Sequence, residues 1–167
     1  FPDAFPGILA SLDVHANDLN AVARYADDLA GNPKVLGFKF HPPDQGFYPT
    51  ERRLYPIWEI LQASRKPAMF HVGFTVLGAN TDGGSGIALD YGRPVHLDML
   101  ARDFPQMKII AAHPGWPWEQ ELVGVVTHKK NLFVDTSGYL AGQLPDIFLK
   151  AIGGRLQDKA LFGTDFP

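Results

Sequence analysis

Four short apolar runs in this chain end in a residue able to hold a metal or move a proton: Phe40-His41, Phe70-His71, Ala112-His113 and Thr164-Asp165. Imidazole and carboxylate are common ligands of divalent ions and common general acids and bases. A lone histidine at a strand end is more often a hydrogen-bonded packing residue. Repetition at four ends changes that reading, as does an aspartate in strongly apolar company, where an unpartnered carboxylate is costly. Together they point to one shared metal or acid-base site. The chain has no cysteine, so disulfides, thiolate zinc sites and cysteine nucleophiles are excluded, and any metal must be held by His, Asp or Glu.

Other chemistry is poorly represented. Gly83-Gly84-Ser85-Gly86 lacks the Lys and the Ser or Thr that complete a phosphate-binding loop, and no Gly-x-Gly-x-x-Gly opens a helix after a strand. A Gly-x-Ser-x-Gly elbow is also missing. His15, His96 and His128 sit among polar or helical residues and read as surface or packing histidines. Asp13 lies near a strand end, where aspartates also cap helices, and receives no role.

These side chains need a scaffold that brings strand ends together. Apolar runs bounded by turn residues occur at 8–14, 35–40, 68–72, 108–113, 132–136 and 160–165 and read as buried strands. Between them, helical periodicity appears at 18–29 with Asn17 or Asp18 as N-cap, then at 54–64, 95–103, 118–129 and 143–152. Strand and helix alternate about every 25 to 40 residues, which favours a parallel sheet covered by helices. In a parallel αβ barrel the C-terminal ends of all strands gather at one mouth, so the four polar residues would converge there. The Gly-rich stretch 78–86 is longer than an ordinary strand-to-helix connection and is a candidate substrate loop or lid.

Composition agrees with a globular α/β domain. The 167 residues are 46% hydrophobic and 20% charged, with a formal net charge of -3, so one folded domain is expected and no basic field for nucleic acid is present. No apolar run reaches the roughly 20 residues that span a bilayer, and Phe1-Pro2-Asp3-Ala4-Phe5 does not resemble a leader. A cytoplasmic protein with a small-molecule partner, no nucleic acid and no membrane is expected; a homo-oligomer is compatible with this. The chain starts without Met and stops just beyond Asp165, where a following helix would ordinarily cover the last strand, so a fragment is expected.

At these residues the chain resembles the amidohydrolase-related family that includes aminocarboxymuconate-semialdehyde decarboxylase and resorcylate decarboxylase. The matching segments are Gly37-Phe38-Lys39-Phe40-His41-Pro42-Pro43, Pro67-Ala68-Met69-Phe70-His71, Tyr91-Gly92-Arg93-Pro94, Ile109-Ile110-Ala111-Ala112-His113-Pro114-Gly115-Trp116-Pro117-Trp118, Phe133-Val134-Asp135-Thr136-Ser137-Gly138 and Leu161-Phe162-Gly163-Thr164-Asp165-Phe166-Pro167. The resemblance implies a (βα)₈ TIM barrel of the metal-dependent hydrolase type, with strands three to eight in this chain. Residues 1–167 would then be a single amidohydrolase-type barrel domain lacking the first two βα units and the C-terminal helices. It implies one divalent metal, zinc foremost and manganese next, with His71 and Asp165 as ligands and His113 as the catalytic histidine, Asp165 sharing the catalytic site. The family's first-strand His-x-His or Glu-x-His pair has no counterpart in this sequence.

Within that frame, His41 and the planar fork of Arg93 could orient a substrate carboxylate, although a structural ion pair is an equal reading for Arg93. Trp116 and Trp118 could wall an aromatic or unsaturated acid, with packing beneath the loop the stronger role for at least one of them. Lys39 could satisfy carbonyls or a carboxylate inside the mouth. The expected activity is metal-dependent hydrolysis or nonoxidative decarboxylation of a small carboxylated or aromatic substrate. The alternative is a noncatalytic barrel relative that binds or supports.

Overall fold

Alternation along Phe38-Lys39-Phe40 and Met69-Phe70-His71 sends every second side chain to the same face of a strand. In the computed structural model, which describes residues 6–165, Phe38, Phe40 and Phe70 are fully buried while Lys39 and Met69 are only partly covered. The readings that fall on residues 1–5 and on Phe166-Pro167 lie outside the described residues.

Among the described residues, six strands form one sheet in chain order: β1 (Ile8–Ala10), β2 (Val35–Phe40), β3 (Ala68–His71), β4 (Ile109–Ala112), β5 (Leu132–Asp135) and β6 (Ala160–Leu161). Every neighbouring pair is parallel. The connections carry α1 (Leu19–Gly31), α2 (Pro42–Gln45), α3 (Tyr55–Ser64), α4 (Val95–Asp103), α5 (Glu119–His128) and α6 (Asp146–Ile152). This is the parallel, helix-covered sheet that the alternation predicts. No helix among the described residues is long and apolar enough to cross a membrane.

Several expected bounds contract. The first strand stops at Ala10 rather than residue 14, because Leu12 and Val14 are buried without joining the ladder; burial and pairing are separate requirements. The last strand keeps only Ala160 and Leu161 of 160–165. Among the described residues it pairs along one edge alone, with β5, and the chain beyond it turns toward the mouth. The final helix starts at Asp146 rather than 143, since Ala141–Gln143 forms a separate 3₁₀ turn followed by Pro145.

The core lies between sheet and helices. Trp58 of α3 sits against Phe40 and Phe70, with ring centroids 4.9 and 5.5 Å away, and the two phenylalanines stack at 5.2 Å. Its indole N–H donates to the Pro49 carbonyl at 2.9 Å, so the ring is buried without losing a hydrogen bond. Helix α1 is capped by Asp18, whose carboxylate accepts from the Ala21 N–H at 3.0 Å, and turns Ala23 and Ala26 inward. The parallel ladder fixes the register of β2, β3 and β4. Phe40 pairs with Phe70, so His41 and His71 leave their strands side by side, and His71 pairs with Ala112, one residue before His113.

Candidate active site

The register brings three imidazoles together at the C-terminal edge. His41 and His71 stack with centroids 4.0 Å apart and an interplanar angle of 22°, and His113 meets His71 edge-on at 4.7 Å. His71, His113 and Asp165 line one cavity of about 170 Å³ together with Phe74, Val76, Gly138 and Tyr139. The three residues expected to share a site therefore do share a wall. Two of them, His113 (φ 76°) and Asp165 (φ 61°), occupy left-handed backbone, which side chains with a Cβ adopt only where the surroundings enforce it.

Hydrogen bonds assign the imidazole tautomers, because a carbonyl can only accept. Nε2 of His71 lies 3.1 Å from the Phe74 carbonyl, so Nε2 carries the proton and Nδ1 the lone pair. Nδ1 of His113 lies 3.1 Å from the Ser137 carbonyl and 3.0 Å from Ser137 Oγ, so Nδ1 carries a proton and, in the neutral ring, Nε2 carries the lone pair. Burial, reinforced by His41, His113 and Lys39, lowers the pKa of His71 to about 2, leaving it neutral across the physiological range. A neutral imidazole is the form that binds metal, with no proton to displace. Burial lowers the pKa of His41 as well, against the opposing charge of Asp44. His41 also caps α2, its Nδ1 accepting from the Asp44 N–H at 3.2 Å.

A second cavity of about 710 Å³ adjoins the first through Asp165 and runs along the inner face of the sheet past Leu9, Lys39, Met69, Asp135, Ser137 and Gly163. Burial lowers the pKa of the Lys39 ammonium, while Asp135 and Asp165 act to raise it. The donor types around His71 and Asp165 fit a divalent ion. Their number does not complete a set, since among the described residues no three of His, Asp and Glu stand close enough to hold one.

The remaining sequence candidates are placed less centrally. Arg93 is not among the residues lining the histidine cavity. One of its terminal nitrogens pairs with Glu121 at 2.6 Å, and the other Glu121 oxygen accepts the Val95 N–H at 3.0 Å, tying Arg93 and the start of α4 to α5. Trp116, 49% exposed, stands one side chain away from the cavity, edge-on to Phe74 at 5.3 Å. Their loops touch because Gly73 adopts φ +87° and a Cβ there would fall 2.7 Å from the Trp116 carbonyl, leaving room for the Phe74 N–H to donate to that oxygen at 2.7 Å. The Gly-rich stretch folds on itself, with Thr81 bonded to the Gly78 carbonyl at 2.7 Å and to Ser85 at 2.8 Å. It forms a separate hollow of about 280 Å³ that shares Phe74 with the site.

Sequence reasoning missed Asp135 and Ser137. Asp135 Oδ1 accepts from the His113 N–H at 2.8 Å, the Ser137 N–H at 3.1 Å and the Ser137 hydroxyl at 2.7 Å. Gly138 (φ +77°) lets the chain pass over the ring, as a Cβ would stand 3.1 Å from His113 Nδ1. A fifth apolar strand ending in an ionisable residue, Val134-Asp135, was the available signal. Of the other histidines, His15 is exposed and touches the Gln45 carbonyl, His96 packs on Tyr48 at 4.7 Å, and His128 lies exposed beside Lys129.

Comparison with known proteins places this arrangement. The family model described as Amidohydrolase matches residues 1–167. No curated protein matches the chain in sequence. Among solved structures, an uncharacterized TIM-barrel protein, Bb4693 from Bordetella bronchiseptica, superposes with a TM-score of 0.79 at 24% identity over 99% of this chain and 57% of that one. The 2,6-dihydroxybenzoate decarboxylase from Rhizobium gives 0.65 at 16% identity over 95% and 59%. A 5-carboxyvanillate decarboxylase from Novosphingobium aromaticivorans, complexed with manganese and 4-hydroxy-3-methoxy-5-nitrobenzoic acid, gives 0.63 at 17% over 90% and 52%. These likenesses establish the barrel fold, and the chain spans between half and three-fifths of the length of each of these proteins. Sheet order, the cluster at the strand ends and the full-length family match agree: this chain belongs to the amidohydrolase family.

Proposed function

We propose that these residues form the third to eighth strands of a barrel enzyme that uses one divalent metal, zinc or manganese, to hydrolyse or decarboxylate a small carboxylated or aromatic substrate. The observation that carries the reading is the shared cavity of His71, His113 and Asp165, with His113 Nε2 left free to exchange a proton. His71, through the lone pair on Nδ1, and Asp165, through its carboxylate, would hold the metal, with further ligands supplied from outside this chain. Such an ion, when bound, polarises a substrate oxygen or lowers the pKa of a water.

His113 moves the proton at Nε2. In hydrolysis it takes one from water; in decarboxylation Nε2 first takes a proton from solvent and then delivers it to the ring or alkene carbon as that carbon's bond to the departing carbon dioxide breaks. Phe74, Val76 and Tyr139 wall the cavity and suit a flat, largely apolar acid, with Trp116 backing Phe74. His41, which does not line that cavity, aligns the neighbouring His71 ring by stacking. Arg93 is assigned to orienting the loop between β3 and α4 and, through it, the substrate's approach. The manganese-bound relative with a nitrobenzoic acid ligand supports both the metal and the substrate class.

The test is turnover by the full-length protein loaded with Zn²⁺ or Mn²⁺ on a panel of hydroxybenzoates, lactones and amides. Carbon dioxide release from a hydroxybenzoate without lactone or amide cleavage selects the decarboxylase branch, and the converse selects hydrolysis. No turnover together with no bound metal would return the protein to the noncatalytic alternative.

A further inference from the structure

We propose that Asp135 and Ser137 form a positioning pair that sets the tautomer of His113, keeping the proton on Nδ1 and the lone pair on Nε2 toward the cavity. The inference rests on the reading of His113 as the proton-transfer residue, but its physical content, which nitrogen is protonated, can be measured without turnover.

The argument begins with the hydroxyl of Ser137, which has one proton to give. That proton goes to Asp135 Oδ1 at 2.7 Å, so the hydroxyl oxygen is left as an acceptor for His113 Nδ1 at 3.0 Å. The Ser137 carbonyl, 3.1 Å from the same nitrogen, is a second acceptor. Two acceptors on Nδ1 require a proton there. Asp135 acts at one remove by pointing the serine proton away from the ring. It acts on the backbone as well, since its Oδ1 takes the His113 N–H at 2.8 Å and so holds that residue at φ 76°, a conformation that persists only under such constraint. Asp135 is buried, and the three donors converging on one oxygen are what make a buried carboxylate tolerable.

Removing Asp135 frees the serine proton to turn onto Nδ1, which would favour the opposite tautomer, with Nε2 protonated and unable to accept. Removing the hydroxyl as well takes away the competing donor and leaves the carbonyl as the sole partner of Nδ1. A pair that merely stabilised the loop would show no such reversal.

The experiment is ring-¹⁵N histidine NMR of the full-length protein with Zn²⁺, the His113 signals being assigned by their loss in His113→Asn. Wild type and Asp135→Asn, which keeps an oxygen to accept the serine proton, are expected to show Nδ1–H. Asp135→Ala is expected to shift toward Nε2–H, and Asp135→Ala/Ser137→Ala to return to Nδ1–H. Nε2–H in the wild type would overturn the proposal without any variant, which keeps it testable should Asp135→Ala fail to fold. An unchanged Nδ1–H pattern in Asp135→Ala would overturn it too, even if that variant melts earlier. Failure to find metal or turnover would sink the functional reading and leave the tautomer result standing; a wrong tautomer with normal turnover would do the reverse.

Discussion

The two faces of the sheet, built from alternate residues of the same strands, have been put to different uses. On the helix side, Phe38, Phe40, Phe70, Ile109, Ala111, Leu132 and Val134 are all fully buried. On the inner side, Lys39, Met69 and Asp135 line the 710 Å³ cavity, and Ile110, Phe133 and Leu161 line a further one of about 230 Å³ nearer the start of the strands. One face holds the fold by removing apolar surface from water, roughly 25 cal/mol per Å². The other, with the strand ends above it, carries the groups whose protonation can be tuned. A period of two residues is enough to separate stability from chemistry within a single strand.

The largest separation should appear at His113. His113→Asn is expected to lower turnover by about 10²–10⁴-fold while shifting the denaturation midpoint little; a matching loss of stability would merge the two faces. Phe70→Ala should cost about 3–5 kcal/mol in urea unfolding, as large aromatic truncations in a packed core do. Met69→Ala, one residue earlier on the open face, should cost about 1 kcal/mol. Equal losses at 69 and 70 would break the comparison.

A smaller effect, in pH, sharpens it from the other side. The pKa of His71 is lowered by burial from the ordinary 6.5 to about 2, so below pH 6.5 the unfolded chain binds a proton that the folded one refuses. Stability attached to this group is complete above 6.5 and declines as pH falls from 6.5 toward 2, with a slope approaching about 1.4 kcal/mol per pH unit. His41, lowered in the same direction, adds to the decline. Urea titrations of the metal-free full-length protein between pH 4 and 8 should show this slope, reduced in His71→Phe; a slope unchanged by the substitution would remove His71 as its source.

Much of this was legible in the residues. An apolar run ending in His or Asp states both a strand and a polar group at its C-terminal end, which is why β2, β3 and β4 and their histidines follow from Phe40-His41, Phe70-His71 and Ala112-His113. Asp135, though in a matching segment, received no role because the fifth run was carried through Thr136, hiding a strand that also ends in an ionisable residue. Ser137 and Gly138 stood in a matching segment but without a role, since their value lies in a turn whose oxygen atoms meet His113 across 24 positions of sequence. Nor does a side-chain type reveal its partner: the guanidinium of Arg93 suits a carboxylate, and the carboxylate it meets is that of Glu121. Helix α2 was not among the helical stretches expected from periodicity; its four residues are too few to show one, and proline suits its first turn, with His41 as its cap.

The central claim, that His71 and Asp165 hold a metal beside a separate proton-transfer residue, is tested most directly by metal stoichiometry of the full-length protein and three variants. His113→Asn is expected to keep wild-type metal content, while His71→Ala and Asp165→Asn lose it in proportion to the weakened site. Equal metal content in all four proteins, or loss confined to His113→Asn, would contradict it.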